Sequence, residues 1–264
     1  MKKNLLSALL LLWVVAVAGI GLQRLLALGA TLNGNGPLAL ASDGQGTLWL
    51  GTRDELFRLD AYERLEARWP VARLGLREIN SLATGRNGVL WIYDSALRRP
   101  FRCTLERMQC TAFGPATLDL DNNVRMTGNA AGELLLADNN RHRVLRLGAD
   151  GELLDTGAAH RRSYPNQLSI HDNQLLLADT DNNRIITLPA DANGTGDVVL
   201  TTRQRPYRFV RRGKEWWVIE AGVALTKGEL RHYHGTESRR LDIDADDPYD
   251  IADTGQRIYI SSLA

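Results

Sequence analysis

The chain has 264 residues, 44% of them apolar and 24% charged, with 24 Gly and only 8 Pro, which excludes a disordered, collagen-like or disulfide-dense protein and fits one ordinary domain or two small ones. Its formal charge of +1 hides an asymmetry: residues 1–36 hold Lys2, Lys3 and Arg24 with no acid, leaving 29 basic and 31 acidic side chains in the body. A near-neutral body lacks the basic stripe that phosphate neutralisation demands, so no nucleic-acid partner is expected.

Lys2 and Lys3 precede an uncharged run of 18 residues, Leu5 to Leu22, interrupted only by Ser7 and Trp13. At about 1.5 Å per residue a helix of that length just crosses a hydrocarbon core. Residues 1–30 are therefore expected to form a transmembrane signal anchor. Its basic flank would stay in the cytoplasm, with the body exported to the periplasmic side of a bacterial inner membrane. A cleaved signal peptide is the alternative, because Ala16-Val17-Ala18 offers a small-x-small cleavage site. Both readings export the body.

From residue 37 onward the chain repeats. Six segments share a turn-forming lead, a four-residue apolar strand and a polar corner, centred on Trp49, Trp91, Leu135, Leu176, Trp217 and Tyr259, with steps of 42, 44, 41, 41 and 42. A second mark lies upstream of five of them, at Asn80, Asn123, Asn166, Tyr207 and Tyr249, spaced 43, 43, 41 and 42. Arg143–Leu147, Gly148-Ala149-Asp150-Gly151 and Glu152-Leu153-Leu154 read as a hairpin with an Asp-Gly turn. Short strands, no helical period after the anchor and a period of about 42 residues indicate four-stranded blades set radially, an all-β propeller over 37–264. Six such repeats need roughly 250 residues, yet 228 remain after residue 36, and the sixth unit stops after its second strand. A stretch near Leu25–Leu32 could supply a closing strand, the last blade could be short, or the natural chain could continue.

Cys103 and Cys110 lie in short strand-like segments, Phe101–Cys103 and Cys110–Ala112. Paired as a hairpin, these would bring the thiols within disulfide reach. Two unpaired buried cysteines are the alternative, because the sequence leaves the register open.

The run Leu175-Leu176-Leu177-Ala178-Asp179-Thr180-Asp181-Asn182-Asn183-Arg184-Ile185, and Leu134–Asp138 followed by Asn139-Asn140-Arg141-His142-Arg143-Val144, resemble the signature of NHL-repeat propellers of the TolB-like and lactonase-like superfamily. In those, a hydrophobic strand ends in Ala-Asp and an Asn-x-Arg-Ile follows. A corner carboxylate can pair with an Arg five residues on. Asp94 with Arg99, Asp138 with Arg143, and Asp179 with Arg184 are the expected staples. The first repeat is more similar to propellers of bacterial sensor ectodomains, and the fifth has Glu220 without a matching Arg.

The resemblance implies a six-bladed ring with a central channel, an architecture shared by lyases, lactonases and binding scaffolds. Expected at the channel mouth are Asn80, Asn123, Asn166, Tyr207 and Tyr249, with Arg125, Arg208 and Asp250 as charged neighbours; such amides and phenols orient a small polar ligand or a peptide end, or else satisfy backbone groups at strand starts. Enzymatic relatives hold a divalent metal in the channel. No cofactor is expected here, although His232-Tyr233-His234 could contribute two ligands to zinc and Asp242–Asp247 alternates like a calcium loop without its glycine or closing Glu. No phosphate loop, nucleophile elbow or dinucleotide fingerprint occurs. The expected function is a membrane-tethered binding or scaffolding module for a protein, peptide or small polar ligand. The alternatives are a metal-dependent lactonase- or lyase-like enzyme and the sensor ectodomain of a signalling assembly.

Overall fold

A computed structural model describes residues 39–85, 88–155, 163–189, 192, 194, 196–222, 227–243 and 247–262, together with the backbone of 16–18 and 21–23. Strands β1 (Ala16–Ala18) and β2 (Gly21–Gln23) form a short antiparallel pair. Five antiparallel sheets of four strands follow. The first holds β3 (Ala39–Ser42), β4 (Leu48–Gly51), β5 (Glu55–Leu59) and β6 (Leu65–Pro70). The second holds β7 (Ile79–Gly85), β8 (Val89–Asp94), β9 (Arg99–Thr104) and β10 (Gln109–Ala112). The third holds β11 (Val124–Gly128), β12 (Leu134–Asp138), β13 (Arg143–Leu147) and β14 (Leu153–Asp155). The fourth holds β15 (Pro165–His171), β16 (Gln174–Asp179), β17 (Arg184–Leu188) and β18 (Val198–Thr201). The fifth holds β19 (Arg205–Arg212), β20 (Glu215–Ala221), β21 (Glu229–His234) and β22 (Glu237–Leu241). Among the described residues the sixth repeat forms a two-stranded sheet, β23 (Pro248–Asp253) and β24 (Ile258–Ser262).

The all-β propeller is therefore present, but among the described residues it has five complete blades instead of the expected six. Among the described residues the sixth repeat contributes two strands, hydrogen-bonded to each other. The first strand of each unit nonetheless neighbours the next around the axis, from β3 through β7, β11, β15, β19 and β23 back to β3. The β1–β2 pair lies beside β24. The region near Leu25–Leu32 falls outside the described residues, as does most of the anchor expected over residues 1–30. Where that anchor is described, at 16–18 and 21–23, it is strand and not helix; valine and glycine in this stretch favour extended chain and turn over helix. No helix among the described residues is long and apolar enough to cross a membrane.

The repeating apolar four-residue runs are the second strands of the sheets. They are buried on both faces, as in Leu134–Asp138, because a radial blade is covered by a neighbour on each side. The core is accordingly divided into clusters between successive units. Leu56, Ile79 and Leu90 pack between blades 1 and 2, Leu176, Phe209 and Trp216 between blades 4 and 5, and Leu40, Phe57, Ala252 and Tyr259 between the sixth unit and blade 1. Each fully buried Leu or Phe contributes roughly 2 kcal/mol. Two glycines set the approach of blades 2 and 3: a Cβ at Gly85 or at Gly128 would lie 3.0 Å from the Trp91 indole nitrogen, so both inner strands leave room for one ring. Outer strands carry the exposed apolar residues, such as Leu65, Leu153 and Val198.

Cys103 and Cys110 stand opposite each other in the β9–β10 register and are disulfide-bonded. With a sequence separation of 7 the loop is short, and chain entropy gives it about 2 kcal/mol of stabilisation. Replacing both by Ser should lower the melting temperature by roughly 4–8 °C in calorimetry. An unchanged melting temperature would show that the bridge constrains nothing.

Candidate functional site

The corners come first because they aim the inner strands. Asp94, Asp138, Asp179 and Glu220 end or nearly end the second strands of blades 2 to 5 and are fully buried. Each accepts a backbone N–H from the segment entering its inner strand: Arg77 to Asp94 at 2.6 Å, Asp121 to Asp138 at 3.3 Å, Ser163 to Asp179 at 2.9 Å and Arg203 to Glu220 at 3.2 Å. Asp138 also accepts from Arg143 at 3.0 Å, and Asp179 from Arg184 at 2.7 Å. The third pair is not joined this way. Asp94 accepts from Leu97 N–H, while Arg99 donates to the carbonyl of Gly114. In blade 5 the Tyr233 hydroxyl takes the place of the guanidinium, donating to Glu220. Burial raises the carboxyls of Asp138 and Glu220 above their ordinary values, against the lowering effect of Arg143 and of Tyr233 respectively.

At the start of the inner strands four of the five upstream residues share one feature. The strand register shifts between Ile79 and Ser81, Pro165 and Gln167, Pro206 and Arg208, and Pro248 and Asp250. Asn80, Asn166, Tyr207 and Tyr249 are thus the extra residues of four β-bulges, which free a side chain from the ladder and turn it. Blade 3 pairs Val124, Arg125 and Met126 without a shift, so Asn123 lies one residue before β11 and outside the series; its carbonyl accepts from Asn139 N–H at 3.2 Å. The residues after the bulges, Ser81, Gln167, Arg208 and Asp250, correspond in register to Arg125 and stand near the starts of the inner strands, at one end of the channel.

Two arginines meet there. Arg125, 4% exposed, donates to the Asn80 carbonyl and, at 3.0 Å, to the Tyr249 hydroxyl across the ring. Arg208, 1% exposed, donates to the carbonyls of Asn166 at 2.5 Å and Tyr207 at 2.8 Å, and its guanidinium lies 3.9 Å from the Tyr207 ring centre. Its Nε is 3.3 Å from Asp250 Oδ1, an ion pair without hydrogen-bond alignment. Asp250 itself accepts backbone N–H groups from Leu40 at 2.8 Å and from Ile251 at 3.0 Å. The Tyr207 and Tyr249 rings are 5.7 Å apart and partly exposed. Among the described residues, buried polar atoms at this end without a hydrogen-bond partner are Arg125 Nε, Arg208 Nε and Nη2, and Asn80 Oδ1.

The electrostatics follow from two cations facing one carboxylate. Burial and the Arg125 charge lower the basicity of Arg208, whereas for Arg125 the opposing burial is outweighed by Tyr249, Tyr207 and Asp250. Burial alone would raise the Tyr207 phenol, but Arg208 and Arg125 pull it below its ordinary value. Burial raises Tyr249, and an ionised Tyr207 adds to that. Of this pair Tyr207 loses its proton first because it lies against Arg208. The arrangement can bind and orient an acceptor-rich group, and its cationic excess is a poor setting for a metal ion.

Asn166 is placed differently from a ligand-binding amide. It accepts from Asn139 Nδ2 at 2.8 Å and donates to Thr180 at 2.9 Å, and Thr180 donates to the Pro206 carbonyl at 2.8 Å, tying blades 3, 4 and 5 together. Gln167, which the spacing did not single out, bonds both the carbonyl and the N–H of Phe209. His232 and His234 pair with Glu215 on the outer part of blade 5, away from the channel. Part of Asp242–Asp247 lies outside the described residues; Asp247 accepts from Gly228 N–H at 3.2 Å.

No family model matches the chain, and no curated protein matches it in sequence. Solved structures do. The chain is similar to virginiamycin B lyase from Staphylococcus aureus, with 17% identity and a TM-score of 0.62 over 88% of this chain and 79% of that one. It is similar to a streptogramin B lyase at 19% identity, TM-score 0.62, over 88% and 78%. A structure of the nidogen/laminin complex matches at 17% identity and TM-score 0.66, over 94% and 96%. These likenesses define the class of the protein as a β-propeller; the same fold serves lyases and a protein-binding module.

The charge arrangement makes a spectroscopic prediction. In an ultraviolet pH titration one phenol should ionise below the ordinary value of about 10. Tyr207→Phe should remove that early step and Arg208→Met should move it upward. A titration of Tyr207→Phe superimposable on that of the parent protein would contradict the assignment.

Proposed function

We propose that this chain is an exported binding module of the NHL-like propeller type, directed by its basic, apolar N-terminal segment to the periplasmic side of the inner membrane. Its recognition surface is the channel mouth formed by Asn80, Arg125, Tyr207, Arg208, Tyr249 and Asp250. The observation that carries the reading is the convergence of two buried guanidinium groups, with nitrogens left without partners, beneath two partly exposed tyrosines. Unsatisfied buried donors cost about 1–3 kcal/mol each, and a ligand that satisfies them recovers that cost. Aromatic rings with polar tips add area at little entropic expense. The module requires no cofactor. Export agrees with the basic, acid-free N-terminus and with the Cys103–Cys110 bridge, since disulfides persist in oxidising compartments.

Photo-crosslinking tests this. A photoreactive side chain in place of Tyr249 should give a discrete adduct in membranes, and one in place of Tyr62, 78% exposed on blade 1, should give none. Adducts from position 62 alone would move the recognition surface off the channel mouth.

A further inference from the structure

The channel mouth holds one positive charge more than it holds negative charge, and the unsatisfied atoms are donors on the cations. On Arg208 the two nitrogens without a hydrogen-bond partner are Nε and Nη2. These share one edge of the guanidinium, the edge that grips a carboxylate through two parallel hydrogen bonds. Asp250 does not fill that edge: it approaches Nε at 3.3 Å out of alignment, and both its oxygens already accept backbone N–H groups. Arg125 adds a second unpartnered Nε. Taking an excess charge out of water costs several kcal/mol unless it is paired, so the site is incomplete without an anion.

Resting on the reading of the channel mouth as the recognition surface, we propose that the ligand presents a single carboxylate to Arg208 and Arg125, with Tyr207 and Tyr249 covering the flat or apolar group attached to it. A monoanion matches the excess of one charge; a dianion would overshoot it and face Asp250. The two rings, partly exposed above the buried arginines, are the side chains that turn aside on entry.

Benzoate is the simplest probe, with benzamide as its neutral isostere and inorganic phosphate as the competing anion, all at matched ionic strength on the full chain. Benzoate should raise the melting temperature saturably, as a ligand bound only by the folded state does, and should return the early-ionising phenol toward its ordinary value. Benzamide should do neither. Arg208→Met should weaken the apparent affinity by at least about tenfold, with Arg208→Lys in between because the charge remains without the fork. Equal effects of benzamide and benzoate, a larger effect of phosphate, or no saturable effect of any carboxylate would each overturn the proposal. The comparison of benzoate with benzamide needs no variant to fold. Binding of benzamide that Tyr249→Ala abolishes would leave the channel mouth as the recognition surface and refute only the carboxylate.

Discussion

A ring of radial sheets is closed only where its last member meets its first, and here that meeting centres on Asp250. Its Oδ2 accepts the N–H of Leu40, 210 residues earlier in the chain, while its Oδ1 stands beside Arg208. One carboxylate therefore joins the ends of the ring and sets the charge of the channel. It is helped by Glu63 of blade 1, which binds Arg257 and Tyr259 of the sixth unit, while Arg212 of blade 5 forks onto Asp253 at 2.8 and 2.5 Å and holds that unit from its other side. The apolar contact of Leu40 and Phe57 with Ala252 and Tyr259 supplies the area beneath. Among the described residues the sheet of the sixth unit has two strands, so polar contacts add to a smaller apolar area at this junction. Removing the carboxylate would leave a buried guanidinium and a buried amide without their partner, a loss on the order of 3 kcal/mol.

The remaining blades show how a polar corner positions the channel end. Each buried corner carboxylate pins the segment that enters the inner strand of its own blade, and the strand then either bulges or runs straight. Where it bulges, a polar or aromatic residue leaves the ladder. Where it does not, in blade 3, Arg125 occupies the position without an extra residue before it. The channel chemistry thus depends on backbone irregularity held in place by burial, which is why a guanidinium with unused donors can persist there.

The period of about 42 residues was legible because each blade buries its second strand on both faces, so Trp49, Trp91, Leu135, Leu176, Trp217 and Tyr259 had to be apolar. The disulfide partners were legible as neighbours in a hairpin, though their register was not. Spacing alone could not see the bulges, and it therefore aligned Asn123 with Asn80 one residue out of phase. It likewise missed Gln167, whose signal was its place immediately before the apolar Leu168 that matches Met126 and Phe209. Asp94 and Arg99 have the staple spacing, but other donors and acceptors reach them first. The strand pair at 16–18 and 21–23 was hidden inside an apolar run whose length suggested a helix, since hydropathy alone does not distinguish strand from helix.

Hydrogen exchange of the native protein and of Asp250→Ala and Asp250→Asn tests the claim that this carboxylate closes the ring. The Leu40 amide, together with β3, β23 and β24, should lose protection in Asp250→Ala and retain part of it in Asp250→Asn, while β12 and β16 in blades 3 and 4 keep theirs. Protection falling evenly across all blades, or remaining unchanged at Leu40, would contradict the account.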